Sequence, residues 1–230
     1  MCGRYSLTIK KKALLERFQC AAGGAADHEP RFNIAPTQEA PAILLSGGGR
    51  RLVGMRWGLL PPWADNPNAA GFINARAETV RQKASFRRLL ERHRVLIPAD
   101  GFYEWRGEPG GGHRQPVRFV LRSRAPFGLA GLWDRWAAPG AEPRDSFTIL
   151  TTLPNEVTAP VHDRMPVMLR PGDEAAWLDP ECSFSSLPAD WCAPYPAAEM
   201  EAYAVSPAVN SARHEAPDCV EPAGDTGLLL

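Results

Sequence analysis

The run Arg94-Val95-Leu96-Ile97-Pro98-Ala99-Asp100-Gly101-Phe102-Tyr103-Glu104-Trp105 decides the fold class. It holds two short apolar stretches, Val95–Ile97 and Phe102–Trp105, rich in the β-branched and aromatic residues that suit a pleated surface. Comparable strand-like runs follow at Val117–Leu121, Leu129–Trp133, Phe147–Thr151 and Val167–Leu169, with a late one at Ala202–Val205. Before it, Pro41–Leu45 and Leu52–Trp57 flank the turn Gly47-Gly48-Gly49. Helical spacing is confined to three places. Lys10–Phe18 carries an apolar stripe of Leu14, Leu15 and Phe18 and has Thr8 as the expected cap. Ser85–Arg94 is basic, with Phe86, Leu89 and Leu90 inward. Pro171, Asp173 and Glu174 open a short helix ending at Leu178.

Strands dominate and do not alternate with long helices, which argues against a doubly wound sheet. The 23 prolines and 20 glycines, scattered along all 230 residues, keep elements short. The expected fold is α+β: one domain over residues 1–222, with a curled, mostly antiparallel, barrel-like β-sheet core flanked by short helices. Residues 179–196 read as a Pro/Ser-rich loop and 223–230 as a frayed C-terminal tail.

With 44% hydrophobic and 23% charged residues, the chain has material for one large core. It has no apolar run of spanning length and no signal-peptide h-region, so a cytoplasmic location with no membrane partner is expected. Net charge is zero, from 26 basic and 26 acidic residues. The sum hides a split: residues 1–125 carry 21 Lys and Arg against 10 Asp and Glu, and residues 126–230 carry 5 against 16. Such asymmetry hints at a nucleic-acid surface, unless the halves interleave and cancel. Five cysteines, Cys2, Cys20, Cys182, Cys192 and Cys219, form an odd set without C-x-x-C spacing. Free thiols are expected, with no structural zinc and no other cofactor.

Cys2 stands apart from the other four. Removal of Met1 would leave an N-terminal cysteine, whose α-amine titrates near about 7.7–8.0 and whose thiol near about 8.5. Such a 1,2-aminothiol can act as an N-terminal nucleophile with its own amine as base. It can also condense with an aldehyde and close a thiazolidine ring. In Asn74-Ala75-Arg76-Ala77-Glu78-Thr79, Asn74 and Arg76 share a face if the segment is extended; a capping Asn before a helix is the alternative. Glu104 lies among aromatic residues that would raise its pKa, or on an edge facing water. His162 and Arg164, between Pro160 and Pro166, could supply an acid/base and a phosphate clamp, or a hydrogen-bonded structural His. Trp57 to Trp63 and Phe72 add aromatics that could stack on unpaired bases, though packing is the plainer fate of Trp57.

Taken together, Met1-Cys2-Gly3-Arg4-Tyr5, Arg31-Phe32-Asn33-Ile34-Ala35-Pro36, Trp57–Trp63, Asn74–Thr79, Gly101–Trp105 and His162–Pro166 resemble the SRAP family of SOS-response-associated peptidases, or abasic-site processing proteins. The likeness runs over about residues 1–222 in the family's order. It implies a sensor of abasic sites in single-stranded DNA that crosslinks to them through Cys2, an enzyme without cofactor, acting as a monomer. By that likeness Asn74 would position the Cys2 amine, Glu104 would shuttle protons, and His162 would assist Schiff-base formation and ring opening. Arg4, Arg76 and Arg164 would grip phosphates, while Pro36, Trp63 and Phe72 shape the strand's path. An additional DNA-contacting Arg of the family, after Thr79, has no clear counterpart; Arg81 and Lys83 are the nearest basic residues. Two other functions stay open: a cysteine peptidase or amidohydrolase, which would need an oxyanion hole, and a non-covalent single-strand binder.

Overall fold

A computed structural model describes residues 2–107 and 114–224. In chain order the elements are β1 (Tyr5–Leu7), α1 (Lys11–Phe18), β2 (Arg31–Ile34), β3 (Glu39–Ser46), β4 (Gly49–Trp57), β5 (Asn74–Arg76), α2 (Ala84–Arg92), β6 (Arg94–Ala99), β7 (Gly101–Arg106), β8 (Gln115–Leu121), β9 (Phe127–Trp136), β10 (Arg144–Thr152), β11 (Met165–Pro166), β12 (Met168–Leu169), α3 (Glu174–Leu178) and β13 (Met200–Ala204). Strand β3 pairs with β4 and β6, β9 with β6 and β10, and β10 returns to β4, so five strands close a barrel. Closure removes the exposed edges that an open sheet would present. A second, antiparallel sheet runs β2-β1-β7-β8-β13.

The barrel-like core and the short flanking helices are as the sequence predicts. The hairpin is a two-residue turn, Gly47-Gly48, with φ of +61° and +78°. Both angles lie where only glycine is at ease, and two positive values give the turn whose twist matches paired strands. Phe86, Leu89 and Leu90 of α2 are buried, and so is Trp57, which stacks on Phe147.

Several expectations need correcting. Thr8 does not cap α1; its hydroxyl donates to Asp100 Oδ2 at 2.6 Å, and Lys10 precedes the helix without a capping side chain. Arg94 leaves the predicted helix and opens β6, because its guanidinium is buried against the carbonyls of Leu90, Trp177 and Cys182. Strand β10 pairs parallel with both β4 and β5, a direction that alternation along a chain does not encode. Strands β1 and β2 are absent from the sequence reading because three and four residues carry too little periodicity. The 179–196 segment contains a buried Phe184 in a short 3-10 turn, edge-on to Trp191. All but the first two residues of the expected tail lie outside the described residues.

What positions the site is the junction between the two sheets. Strands β6 and β7 are one run interrupted only at Asp100, and β1 lies beside β7, with Tyr5 opposite Phe102. The buried Asp100 carboxylate accepts from Ser6 Oγ at 2.7 Å, Thr8 N at 2.5 Å and Arg118 Nη2 at 2.9 Å. A Cβ on Gly101 would stand 2.6 Å from Arg118 Nε, so a side chain there would displace the guanidinium that completes this cluster. The amino-terminal segment is thereby pinned to the sheet by charge-assisted hydrogen bonds.

Candidate active site and nucleic-acid interface

Four segments far apart in the chain bring Cys2, Asn74, Glu104 and His162 to one place. Cys2 lies three residues before the start of β1 and is wholly buried. Asn74 opens β5, which is an extended strand and not a helix approach; it faces Ile149 of β10 in parallel register. The indole of Trp57 donates to Ile73 O at 2.9 Å and fixes the chain at that point. Asn74 Nδ2 donates to Cys2 O at 2.8 Å, so the amide holds the first residue of the site directly. The Oδ1 of Asn74 is buried and accepts no hydrogen bond among the described residues, which leaves an acceptor ready beside Cys2.

Glu104 sits in the middle of β7, opposite Val117 of β8, and is 3% exposed. Burial pushes its carboxyl up to about 7, which rules out the water-facing edge position. His162 Nε2 lies 3.8 Å from Glu104 Oε2. The other ring nitrogen, Nδ1, accepts the backbone N–H of Arg164 at 3.0 Å. In the neutral ring that leaves the proton on Nε2, toward Glu104. Nδ1 also stands 2.9 Å from the exposed Asp163 carboxylate, a partner it can hold only when protonated. Burial lowers the pKa of His162, so the neutral ring is the resting form near pH 7. Burial and the nearby Glu104 charge raise the Cys2 thiol well above the ordinary range. A thiol in this setting reacts only where a neighbouring group can take its proton, and a carboxyl pushed up to about 7 is chemically able to do so.

The six residues expected along a nucleic-acid path fare differently. Arg76 is exposed at the end of β5, on the rim of a cavity of about 400 Å³ that also borders Asn74, Thr79 and Lys83. Trp63 and Phe72 are exposed by 64% and 44%, unusual for rings of that size, and Phe72 meets Phe86 edge-on at 5.5 Å. Pro36 is half-buried. Arg4 is half-buried too: its Nη1 donates to Asn33 Oδ1 at 2.7 Å and to Val209 O at 2.6 Å. The expectation of a phosphate grip at Arg164 meets a buried guanidinium. Its two terminal nitrogens hold Glu78 in a fork at 2.7 and 2.8 Å, and Nη2 also reaches Thr151 O at 2.5 Å. In this arrangement Arg164 ties the chain together and offers no free fork to a ligand.

Sequence reading missed Asp100, Arg118 and Glu78, whose importance lies in partners remote along the chain. It also passed over Asn33 as a single residue. Its amide donates to the carbonyls of Val209, Ser211 and His214 and seats that late segment against β2. Buried polar side chains of this kind carry no local signal; an Asp directly before a Gly inside an apolar run was the one available hint. Among the described residues, His214, Asp218 and Cys219 bring potential ligand atoms within 4.8 Å of one another. Their own bonds account for that arrangement: His214 Nε2 lies 2.8 Å from Asp218, and Cys219 Sγ donates to His214 O.

Residues 1–212 match the model of a family described as SOS response associated peptidase (SRAP). The chain is 41% identical over 226 residues to the abasic site processing protein YoqW of Bacillus subtilis (strain 168), covering 96% of this chain and 99% of that relative. It is 32% identical over 229 residues to the abasic site processing protein HMCES of Gallus gallus, covering 85% of this chain and 67% of that relative. A crystal structure of a protein from Bacteroides thetaiotaomicron superposes with a TM-score of 0.83 at 26% identity, over 96% of this chain and all of that one.

Proposed function

The chain belongs to the SRAP family, and from that premise we propose that it senses abasic sites in single-stranded DNA and crosslinks to them through Cys2. Removal of Met1 exposes the Cys2 α-amine. The amine adds to the aldehyde of the ring-opened abasic sugar, and loss of one water gives the Schiff base. The Cys2 thiol then adds its sulfur to the imine carbon; the C=N double bond becomes single, and the nitrogen takes up the proton that the thiol released. One water is lost overall, with no redox change. Glu104 and neighbouring His162 carry the protons, and Asn74 Oδ1 accepts from the amine. The ring keeps the lesion out of β-elimination, which a persisting Schiff base would invite.

The observation that carries this reading is the convergence of Asn74 and the Glu104–His162 pair on a buried Cys2. A peptidase with a free thiolate is less well served, since burial and Glu104 push the Cys2 thiol up where that chemistry needs it down. Arg76 is the proposed phosphate contact, with Trp63 and Phe72 as stacking surfaces and Pro36 shaping the turn. Arg4 and Arg164 reach phosphate only by exchanging the acceptors they now hold. The protein acts in the cytoplasm on nucleoid DNA, as a monomer, with no metal. The test is a denaturing gel with intact-mass measurement after incubation with an abasic oligonucleotide. The expected adduct is the sum of the Met1-less protein and the DNA minus one water. Adduct formation by Cys2→Ala at the wild-type rate would overturn the assignment.

A further inference from the structure

Arg164 acts on the site from both ends of the residue. Its side chain is fixed by Glu78, two residues beyond β5, and by Thr151 O near the end of β10. Its backbone N–H, in turn, fixes Nδ1 of His162. The segment carrying His162 leads into β11, which pairs with β10 at Thr151 and Thr152, while β5 pairs with β10 at the same Thr151. Glu78 therefore adds a direct side-chain tie between the segment after the Asn74 strand and the His162 loop, beside their shared pairing with β10. The bond is a two-pronged, charge-assisted fork, the geometry that restricts an Arg side chain most.

We infer that Glu78 is a positioning residue, whose carboxylate, through Arg164, sets the tautomer and aim of the His162 imidazole toward Glu104. Nothing in the crosslinking chemistry itself calls on Glu78. Its carboxyl is held ionised below the usual range by the hydrogen bonds from Arg164 and is 40% exposed, so the fork persists across the neutral range. Among the described residues the charged groups facing His162 are Glu104 on β7, Asp163 beside it, and Arg114 just before β8, and the amino-terminal charge also acts on the ring. Catalytic relevance rests on the reaction proposed above; the effect on the imidazole does not.

The experiment is a proton–nitrogen long-range correlation spectrum of histidine-labelled full-length protein through the neutral pH range, beside crosslinking rates. Wild type, Glu78→Ala, Glu78→Asp and Arg164→Lys are compared, with His162 assigned by its loss in His162→Asn. Wild type should show neutral His162 protonated on Nε2 alone. Glu78→Ala and Arg164→Lys should show mixed tautomers and a shifted titration, with crosslinking slowed by up to about 100-fold, the scale of an acid/base group displaced by about 1 Å. Glu78→Asp should recover part of both. Unchanged His162 tautomer and titration in folded Glu78→Ala and Arg164→Lys would overturn the role. So would an unchanged imidazole with tighter oligonucleotide binding, which would make Glu78 a competitor of phosphate for Arg164. If Glu78→Ala does not fold, Glu78→Gln, which keeps volume and one acceptor, makes the same comparison. A shifted tautomer alongside a wild type that forms no adduct would leave the positioning role intact and remove the proposed function instead.

Discussion

Glu104 illustrates how one residue's environment sets its chemistry. A carboxyl on a strand between Tyr103 and Trp105 can face water or core with equal ease, and the sequence permits either. Pairing of β7 with both β1 and β8 buries it, and burial moves it up to about 7 from an ordinary 4.5. The sign of the consequence follows from linkage. Between those two values the folded state keeps a proton that the unfolded chain has lost, so ionising Glu104 costs stability as pH rises through this window. Glu104→Gln should therefore stabilise the fold increasingly from about pH 5 to pH 8, by about 3 kcal/mol at most, since one pKa unit is worth about 1.4 kcal/mol. Urea unfolding of both proteins at the two pH values checks this; an equal difference at both would refute the burial cost. Under the proposed reaction the same substitution should also slow crosslinking, since it removes the proposed proton carrier.

Elements matter here chiefly where they meet. The hairpin of β3 and β4 and the helix α2 were legible because a turn and an amphipathic stripe are local properties. The β6–β7 break was not, because its purpose is the Asp100 cluster, assembled from β1, Thr8 and Arg118 of β8. A buried carboxylate with that many donors is costly to remove, since Arg118 would remain buried without its counter-charge. Asp100→Ala should destabilise the fold by about 3–5 kcal/mol in denaturant unfolding. It should also loosen the segment that seats Cys2, so crosslinking at a temperature where the variant is folded should fall as well. Intact stability in Asp100→Ala would show that the strands hold the amino terminus without it.

On the scale of the whole molecule, the zero net charge is built from cross-pairing. The basic first half and the acidic second half meet in Arg17 and Arg50 with Glu174, Arg31 with Glu215, Arg88 with Asp134, and Arg124 with Glu201. Interleaving of the halves, the plainer of the two readings of the charge split, accounts for these. Arg76, Arg81, Lys83, Arg87 and Arg92 are all exposed and join none of these pairs; Arg76 and Lys83 border the cavity at Asn74, and the others follow along the chain into α2. Arg76 is thus an exposed cation at the cavity with no acid among these pairs. Arg76→Ala should weaken binding to an undamaged single-stranded oligonucleotide and reduce the salt slope by about 0.7, the share of one phosphate contact on a single strand. Arg122→Ala, at a cation already facing Glu201, should leave the slope unchanged. Equal slopes for both variants would place the strand elsewhere.

Strand content, the glycine hairpin, the apolar faces of the helices and the place of a cysteine directly behind Met1 follow from residue type and short-range spacing. These depend on backbone preference, side-chain periodicity and intrinsic pKa, which a linear chain already carries. The parallel seat of β5 on β10, the burial of Glu104, the Glu78–Arg164 fork and the Asp100 cluster came only with the tertiary structure. Each depends on desolvation or on a partner many residues away, and neither quantity exists until the barrel closes.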